Sequence, residues 1–421
     1  MNLNFFIAKR IGADKGKGKI SIASNTIAII SVAISIFIMI LAVAISNGFK
    51  KEIRDKAVGY CGDMHISSPG VEITSDEYPI TPPSYIDSVK NLDFIKNVSP
   101  VIYNYGLLKT EQQIQGVIFK GIDSSYNWDF FKKHLYKGKL PDFAIGNLQG
   151  DSNNISNEIL ISKRMSEIMN YDVSDKVTAY FIGENVKVRR FTISGLYDAQ
   201  LEDLDKTIVI ADSKQLIRLN EWTNGEISGY EIFLKNSVGK NFDNYANAIS
   251  EIIDNNSSDE ENPTILSTVK DSFTMLFDWL HLLDTNVLII IVLMITVAGF
   301  NMISGILIII FERISMIGTL KAIGMKTLNI SKIFLYRASF IVLKGMLYGN
   351  IFAAIFCFVE WKYKIISLNP DNYFVSSVPI SITVWQLLLL NIIAFVAIMI
   401  ILTIPCHFIS KISPAKTLKF E

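Results

Sequence analysis

Long uncharged runs dominate the hydrophobic pattern of this chain. Thirty consecutive uncharged residues lie between Ile20 and Phe49, and twenty-seven lie between Thr285 and Phe311. A third run, Ser339–Val359, is interrupted only by Lys344, and a fourth extends from Thr383 to Ile404. A helix needs roughly 20 apolar residues to cross a bilayer. Soluble helices of this length rarely lack charge on every face, so the pattern predicts four transmembrane helices.

Basic residues in the short connecting segments predict the orientation of these spans. Residues 1–19 and 312–337 contain five Lys and Arg each, and the tail 408–421 contains three. Such residues are retained on the cytoplasmic side, and four spans place these three segments together. Both termini are therefore predicted to be cytoplasmic. A cleavable signal peptide is the alternative for the first run, but that run is about twice the length of a signal-peptide core.

The predicted fold class is an α-helical membrane protein with four transmembrane helices and a large α+β extracytoplasmic domain inserted between helices 1 and 2. The predicted segments, in chain order, are a cytoplasmic leader with an interfacial helix (1–19), span one (20–47), a periplasmic α+β domain with stalks (48–282), span two (283–311), a cytoplasmic coupling loop (312–337), span three (338–359), a short periplasmic loop (360–381), span four (382–407) and a cytoplasmic tail (408–421).

Lys344 is the one charged side chain in the interior of a predicted span, since Asp284 lies at the very start of span two. An ammonium at the bilayer centre would cost several kcal/mol. Lys344 lies only one to two turns from the predicted cytoplasmic end of span three, so its stem can extend to the lipid headgroups. We therefore interpret it as a snorkelling lysine.

Charge separates the outer domain from the membrane part. Residues 48–282 contain 24 Lys and Arg against 34 Asp and Glu, a net charge of −10, although the whole chain is neutral. The remainder therefore carries +10. Its basic residues cluster beside the spans and not on a soluble face, which argues against a nucleic-acid partner.

The outer domain has the patterns of a mixed α+β fold. Runs rich in β-branched or alternating apolar residues predict strands at 115–119, 176–181, 188–194 and 207–210. Helices are predicted at 162–169 and 212–219. Polar stretches at 151–157 and 254–263 predict loops, and residues 48–58 and 264–283 are predicted stalks next to the spans.

Motifs for independent catalysis are missing from the sequence. No Gly-x-x-x-x-Gly-Lys-[Ser/Thr] phosphate loop occurs, so the chain is not expected to hydrolyse ATP alone. No zinc-ligand spacing and no Gly-x-Ser-x-Gly elbow occurs either, and no cofactor is expected in this chain. The cytoplasmic segments are too short for a signalling domain.

The segment Glu312–Met325 in the coupling loop has an unusual composition. Apolar residues recur at Ile314, Ile317, Leu320 and Ile323, so a short helix could present them to a partner. Gly324 is well placed to end that helix. An interfacial helix packed on lipid headgroups fits the pattern almost as well, and both interpretations stay open.

This segment resembles the coupling region of ABC permeases of the FtsX and MacB superfamily, in which a Glu-x-Gly-x-x-(Lys/Arg)-Ala-x-Gly-like pattern follows the second span. In this chain the spacing between the Glu and the first Gly of that pattern differs from the family pattern. The same superfamily has one span, a large outer domain and then three spans. The resemblance implies a role in ATPase coupling for Glu312, Arg313, Ile317, Gly318, Leu320, Lys321, Ala322 and Gly324.

Other stretches resemble the lipoprotein-releasing LolC/LolE family more narrowly. One stretch matches the family's Asn-Gly-Phe-x-x-Glu exit from span one, with Asn47, Gly48, Phe49 and Glu52 at the corresponding positions. The resemblance implies that these residues form the end of span one and the start of its stalk. Further similar stretches are the leader Phe5–Arg10, the outer-domain segment Phe191–Leu219, the loop Leu368–Phe374 with Val378-Pro379, and the tail Ile412–Glu421.

The resemblance implies the permease subunit of an ATP-driven transporter that extracts lipoproteins from the outer leaflet of the inner membrane and releases them toward the outer membrane. The implied partners are a cytoplasmic LolD-like ABC ATPase, a second permease copy or paralogue, and the lipoprotein. Gly345 and Gly349 in span three permit close helix packing. Binding of a periplasmic lipoprotein carrier stays open, because the family's hook-like loop is not identifiable. The alternatives are a MacB-type mechanotransmitting exporter and an FtsX-like regulator of cell-wall hydrolases.

Overall fold

The computed structural model describes residues 19–70, 78–110, 113–143, 155–183, 185–222, 225–236, 241–256 and 262–407. The predicted interfacial helix, the leader motif and the tail motif lie outside these residues. In chain order the elements are α1 (Lys19–Cys61), β1 (Met64–Ser67), α2 (Ile86–Lys90), β2 (Ile95–Lys109), β3 (Ile114–Ile122), α3 (Asp129–Lys133), β4 (Leu135–Gly138), β5 (Glu158–Ser162), α4 (Lys163–Met169), β6 (Lys176–Ile182), β7 (Val186–Tyr197), α5 (Glu202–Asp205), β8 (Ile208–Asp212), α6 (Ser213–Asn220), β9 (Gly229–Leu234), α7 (Phe242–Asn256), β10 (Ile265–Thr268), α8 (Val269–Ser272), α9 (Thr274–Glu312), α10 (Ile314–Ala322), α11 (Thr327–Tyr363), α12 (Pro370–Tyr373), α13 (Val384–Ile401) and α14 (Thr403–His407).

The chain divides into two compact units. Among the described residues, the helical unit contains those up to Lys51, Trp279–Ser367 and Ser377–His407. The outer unit contains Glu52–Asp278 together with Leu368–Ser376. The predicted loop 360–381 is therefore shared, because its tip belongs to the outer unit and its two flanks belong to the helical unit.

Four helices of the helical unit are long and apolar enough to cross a membrane, as judged over the described residues. They are α1, α9, α11 and the continuous stretch of α13 and α14 from Val384 to Cys406. The buried residues they share form one cluster, which includes Ile36, Met302, Phe334 and Ile398. Many other apolar side chains of these helices face outward, which is the arrangement expected where lipid is the solvent.

A ring of six strands forms the centre of the outer unit. Antiparallel β2 and β3 continue through the parallel pair β3 and β8, then through β5 to β7. Strand β6 pairs antiparallel with both β7 and β2, which closes the ring. Strands β9, β1 and β10 extend the sheet from the first half of β2, and β4 pairs with β7.

Successive residues of the ring strands face two different cores. In β5, Ile159 and Ile161 belong to one buried cluster and Leu160 belongs to another. In β8, Val209 belongs to the first of these clusters and Ile210 belongs to the second. Alternation of this kind follows from the two-residue period of a strand. Both faces of these strands are therefore buried, which explains their nearly unbroken apolar composition.

The predicted strands at 115–119, 176–181, 188–194 and 207–210 are confirmed as parts of β3, β6, β7 and β8. The predicted helices at 162–169 and 212–219 are confirmed as α4 and α6, and 48–58 is helical as the end of α1. The described part of 151–157 has no regular structure, as predicted. The predicted loop 254–263 begins inside a helix, because α7 continues to Asn256.

Two predicted segments differ from the structure. Residues 264–283 are not one stalk, because Ile265–Thr268 form a strand paired with β1 before α9 begins at Thr274. The second half of the predicted loop 312–337 is helical, because α11 begins at Thr327. Its buried side chains Ile330, Ile333 and Phe334 follow the helical period, and the intervening charges Lys332 and Arg337 excluded this turn from the predicted span.

Candidate coupling site

The short helix α10 begins where the long helix α9 ends. The backbone NH of Arg313 donates to the carbonyls of Ile309 and Ile310, and Arg313 has a non-helical conformation that separates the two helices. At the other end, Gly324 has a φ of +93°, a left-handed conformation that favours glycine. The NH of Met325 reaches back to the carbonyl of Leu320 at 3.0 Å. The predicted helix stop at Gly324 is thus confirmed.

The apolar side of α10 packs on the helical unit itself. Ile317 is fully buried, Gly318 is buried, and Leu320 packs partly against the shared cluster. Ile317 is therefore buried inside the subunit and Leu320 is partly accessible, and the coupling role of the apolar row stays a prediction. A helix at the end of a span buries these residues against neighbouring helices because that removes them from water. Ile323, in contrast, stays 80% exposed.

The outward side of this region has a different set of residues. Ser315, Thr319 and Ala322 are exposed along α10, at the spacing of one helix face. Glu312 is exposed just before the helix, and Leu328 is 75% exposed just after it. Ser315, Thr319 and Leu328 were missed by the sequence analysis, although the helical period from Glu312 to Ala322 could have indicated the first two. Arg313 and Lys321 are half-buried.

The exit of span one packs against the segment that precedes span four. The side chain NH₂ of Asn47 donates to Gln386 Oε1 at 3.3 Å, and the backbone NH of Ser381 donates to the carbonyl of Ala44 at 3.0 Å. A Cβ on Gly48 would collide with the carbonyl of Pro379. Glycine is therefore required at this position for close backbone approach and not for an unusual dihedral angle.

Two charged residues join the outer ends of spans one and two. The ammonium of Lys50 forms an ion pair with the carboxylate of Asp284. Both side chains are partly exposed, so the pair contributes little free energy. Phe49 is half-buried beside it. Opposite charges directly after one span and before the next were the available sequence signal, and it was missed.

Beyond the span exit, α1 continues into the outer unit. Glu52 is half-buried there, and Lys56, one turn later, is only 3% exposed. The Lys56 ammonium donates to Gln200 Oε1 at 3.0 Å and to the backbone carbonyl of Phe374 at 2.6 Å. Burial lowers the pKa of Lys56 to about 8, with the negative charges of Glu52 and Asp205 acting in the opposite direction.

Both acceptors of Lys56 belong to residues in a left-handed backbone conformation. The φ angles are +61° at Gln200 and +58° at Phe374. Non-glycine residues seldom adopt this region, and where they do the surrounding contacts hold them. Phe374 also packs against the aromatic cluster that contains Tyr60 and Tyr197. Lys56 and this cluster thus hold the loop Leu368–Ser376 within the outer unit.

The glycine pair of span three contacts span one of the same chain. A Cβ on Gly345 would lie 2.7 Å from Val32 Cβ, and one on Gly349 would lie 2.7 Å from the carbonyl of Ala33. Both distances are too short for a real Cβ. The predicted close helix packing is present within one chain, so these two glycines are already used inside the subunit.

Two family models match the chain. The model described as MacB-like periplasmic core domain matches residues 26–252, and the model described as FtsX-like permease C-terminal matches residues 264–414. The LolC lipoprotein-releasing system transmembrane protein of Xylella fastidiosa strain 9a5c is 21% identical over 401 residues, 90% of this chain and 89% of the relative. LolC of Neisseria meningitidis serogroup B is 21% identical over 409 residues, 90% of each chain.

Among solved structures, the periplasmic region of MacB from Actinobacillus actinomycetemcomitans matches with a TM-score of 0.34 and 12% identity, covering 51% of this chain and 92% of that one. The chain belongs to the family with the MacB-like periplasmic core domain, because that model matches more than half of its residues. With the FtsX-like C-terminal region and the LolC relatives, it is a permease of the LolC/LolE type.

Proposed function

We propose that this permease extracts lipoproteins from the outer leaflet of the inner membrane and releases them toward the outer membrane. The observation that carries the proposal is the similarity to LolC over nine-tenths of both chains. Removing a lipid anchor costs about 0.8 kcal/mol for each buried CH₂, so a lipoprotein with three acyl chains needs an external energy source. The chain would bind no cofactor, and the energy would come from a separate LolD-like ATPase.

The proposed orientation places both termini in the cytoplasm and residues 48–282 in the periplasm. The basic leader, the basic coupling loop and the basic tail support this orientation, because Lys and Arg stay on the cytoplasmic side. The exposed residues around α10 then face the cytoplasm. A second permease copy or a paralogue would complete the membrane part, because four spans enclose little space for a lipid-bearing substrate.

The ATPase is proposed to bind the outward side of α10, which consists of Glu312, Ser315, Thr319, Ala322 and Ile323. A movement of α10 would be passed to α9 and α11, since Ile317 lies in the cluster that these helices share. The exposed ion pair of Lys50 and Asp284 is weak, so movement would pass between spans one and two mainly through the buried cluster that these helices share. The outer domain would then shift and expel the lipoprotein.

The test is ATP-dependent lipoprotein release by the permease reconstituted with its ATPase in proteoliposomes. Ile323→Glu puts a charge at the exposed C-terminal end of the proposed docking side without disturbing a buried residue. We expect ATP hydrolysis to continue while release is lost. Ile265→Glu, a matched control at a 47% exposed isoleucine of the outer unit, should release normally. Normal release by Ile323→Glu would contradict the coupling role.

Gly324→Val tests the same site through its backbone. Valine is strained at a φ of +93°, so the end of α10 must change. We expect reduced release per ATP hydrolysed. The substrate class is tested separately, by mass spectrometry of lipoproteins that co-purify with the permease. A purified permease that never carries triacylated lipoprotein would favour the exporter or regulator alternatives.

A further inference from the structure

An apolar groove of about 840 Å³ lies between α1 and α11. The two helices run in the same direction here, because Gly345 approaches the carbonyl of Ile29 and Gly349, one turn later, approaches that of Ala33. The groove therefore follows both spans lengthwise. Its lining residues are Thr26, Ile29, Ile30, Ala33, Ile34 and Phe37 of α1, and Tyr348, Phe352, Ile355, Phe356 and Val359 of α11.

The groove is long enough for an acyl chain. From Tyr348 to Val359, α11 rises about 16 Å at 1.5 Å per residue. Tyr348 lies ten residues, about 15 Å, beyond the predicted start of span three at residue 338, and Val359 is the last residue of that span. A single acyl chain that starts near Lys344 and lies along α11 would therefore fill this length and pass the bilayer midplane.

A cation stands at one end of the groove. Lys344 lies one helical turn before Tyr348, and its side chain is exposed. Among the described residues it has neither a hydrogen-bond partner nor an ion-pair partner. Arg337 lies two turns further back on the same helix face, and it is half-buried. The apolar groove thus ends in a stripe of positive charge.

The apolar runs of a second copy would bring no carboxylate to that depth. The runs Ile20–Phe49, Thr285–Phe311 and Thr383–Ile404 contain no Asp or Glu. The one acidic residue of α11 is Glu360, which lies beyond the opposite end of the groove and is 3% exposed. Anionic phospholipids, in contrast, present a phosphate at the level where a span meets the headgroups, and basic pockets between spans bind such groups.

We propose that this groove binds an anionic phospholipid of the cytoplasmic leaflet, with an acyl chain between α1 and α11 and the headgroup phosphate at the Lys344 ammonium. The choice of leaflet rests on the orientation given under the proposed function. The lipid would fill the space beside the Gly345 and Gly349 contact and hold spans one and three together.

The first test is native mass spectrometry of the full-length protein, purified from nanodiscs that contain equal amounts of phosphatidylglycerol and phosphatidylcholine. The parent protein is expected to retain phosphatidylglycerol in preference to phosphatidylcholine. Lys344→Leu should reduce that retention about fivefold, which is what one basic side chain contributes at an anionic surface. The matched control is Lys332→Leu, at another exposed lysine of α11 that does not line the groove, and it should retain the lipid.

A second variant tests the groove without changing a charge. Ala33→Trp fills it from the α1 side and should also reduce retained phosphatidylglycerol. Ile27→Trp, at a 64% exposed position of α1 outside the groove, should not. Equal retention of the two lipids by the parent protein, or full retention by both Lys344→Leu and Ala33→Trp, would overturn the proposal.

Two further outcomes have distinct meanings. Efficient cross-linking between two chains through Ile30→Cys would show that a second copy occupies the groove, which also overturns the proposal. If both groove variants lose phosphatidylglycerol but the leader is labelled from the periplasmic side, the lipid site stands. In that case the choice of leaflet and the proposed orientation both fail.

Discussion

The Lys56 ammonium donates a hydrogen bond of 2.6 Å to the backbone carbonyl of Phe374, 318 residues further along the chain. Phe374 lies in the loop between α11 and α13, and that loop belongs to the outer unit. Lys56 of α1 therefore holds a loop that is distant in sequence within the outer unit.

Lys56→Met is expected to loosen the loop Leu368–Ser376. The substitution leaves two partly buried acceptors without their donor, and each loss costs about 1 to 3 kcal/mol. The amide of Phe374 donates to the carbonyl of Pro370, and the amide of Leu368 donates to that of Ser376. Both amides should exchange with deuterium about tenfold faster, as measured by mass spectrometry of the full-length protein.

The control for this prediction is Lys51→Met, which removes an exposed lysine from the same helix. Its exchange pattern in Leu368–Ser376 should equal that of the parent protein. Unchanged exchange in Lys56→Met would show that packing of Phe374 on the aromatic cluster is sufficient to hold the loop.

The same lysine predicts a pH dependence of stability. The pKa of Lys56 is about 8 in the folded protein, below its ordinary value of 10.5, because burial disfavours the charged form. Between these two values the unfolded chain binds more protons than the folded one, so this contribution to the free energy of unfolding rises with pH. The cost of burying the ammonium is fully present below pH 8.

We therefore expect the midpoint of thermal unfolding of the parent protein to rise relative to that of Lys56→Met between pH 8 and 10. The comparison with the variant removes the contributions of other groups that titrate in this range. A constant difference between the two midpoints would mean that Lys56 keeps its ordinary pKa in the folded state.

The apolar helices were predictable from the sequence, whereas the Lys56 contact was not. Lipid on all sides of a span requires apolar residues on all sides, so the runs beginning at Ile20 and Thr285 stand out without any tertiary information. Lys56, in contrast, follows Glu52, Arg54 and Asp55 in a helix with mixed charges. That pattern is typical of a solvated surface, and the lysine is enclosed by residues that are distant in sequence, Gln200 and Phe374.

The candidate coupling site shows the same limit. The helix stop at Gly324 follows from local backbone preferences, and the sequence predicted it correctly. Which side of α10 faces outward depends on neighbouring helices that the local pattern does not describe. Ile317 and Ile323 are equally apolar in sequence, but the first is buried and the second is 80% exposed.

A larger residue at Gly345 or Gly349 should push span three away from span one. Gly349→Leu puts side-chain atoms where the carbonyl of Ala33 and the side chain of Ile36 already lie. Overpacking of this kind typically costs about 1 to 3 kcal/mol. Thermal unfolding in detergent should occur at a lower temperature. Ala354→Leu adds a similar volume at an exposed position of the same helix and should unfold like the parent protein.

A buried ion pair near the centre of the outer unit makes a further prediction. The ammonium of Lys120 lies 2.7 Å from the Glu231 carboxylate, and both side chains are fully buried. Tyr103 and Tyr126 each donate a hydroxyl hydrogen bond to Glu231, at 2.8 and 2.7 Å. Burial raises the pKa of both tyrosines well above 10, so they remain neutral donors. The carboxylate is therefore well solvated by protein groups.

Removing both partners of this pair should cost less than the sum of the two single removals. Glu231→Gln leaves the Lys120 ammonium buried without a counter-charge, and breaking a buried pair in this way costs about 3 to 5 kcal/mol. In the double variant Lys120→Met with Glu231→Gln no buried charge remains. Its loss in free energy of unfolding should be smaller than the sum of the two single losses by more than 1 kcal/mol, roughly the lower range for coupled residues. Pulse proteolysis in urea measures the free energy of unfolding of four full-length proteins. They are the parent protein, the single variants Lys120→Met and Glu231→Gln, and the double variant. Additive losses would mean that water reaches the pair and that the charges do not depend on each other.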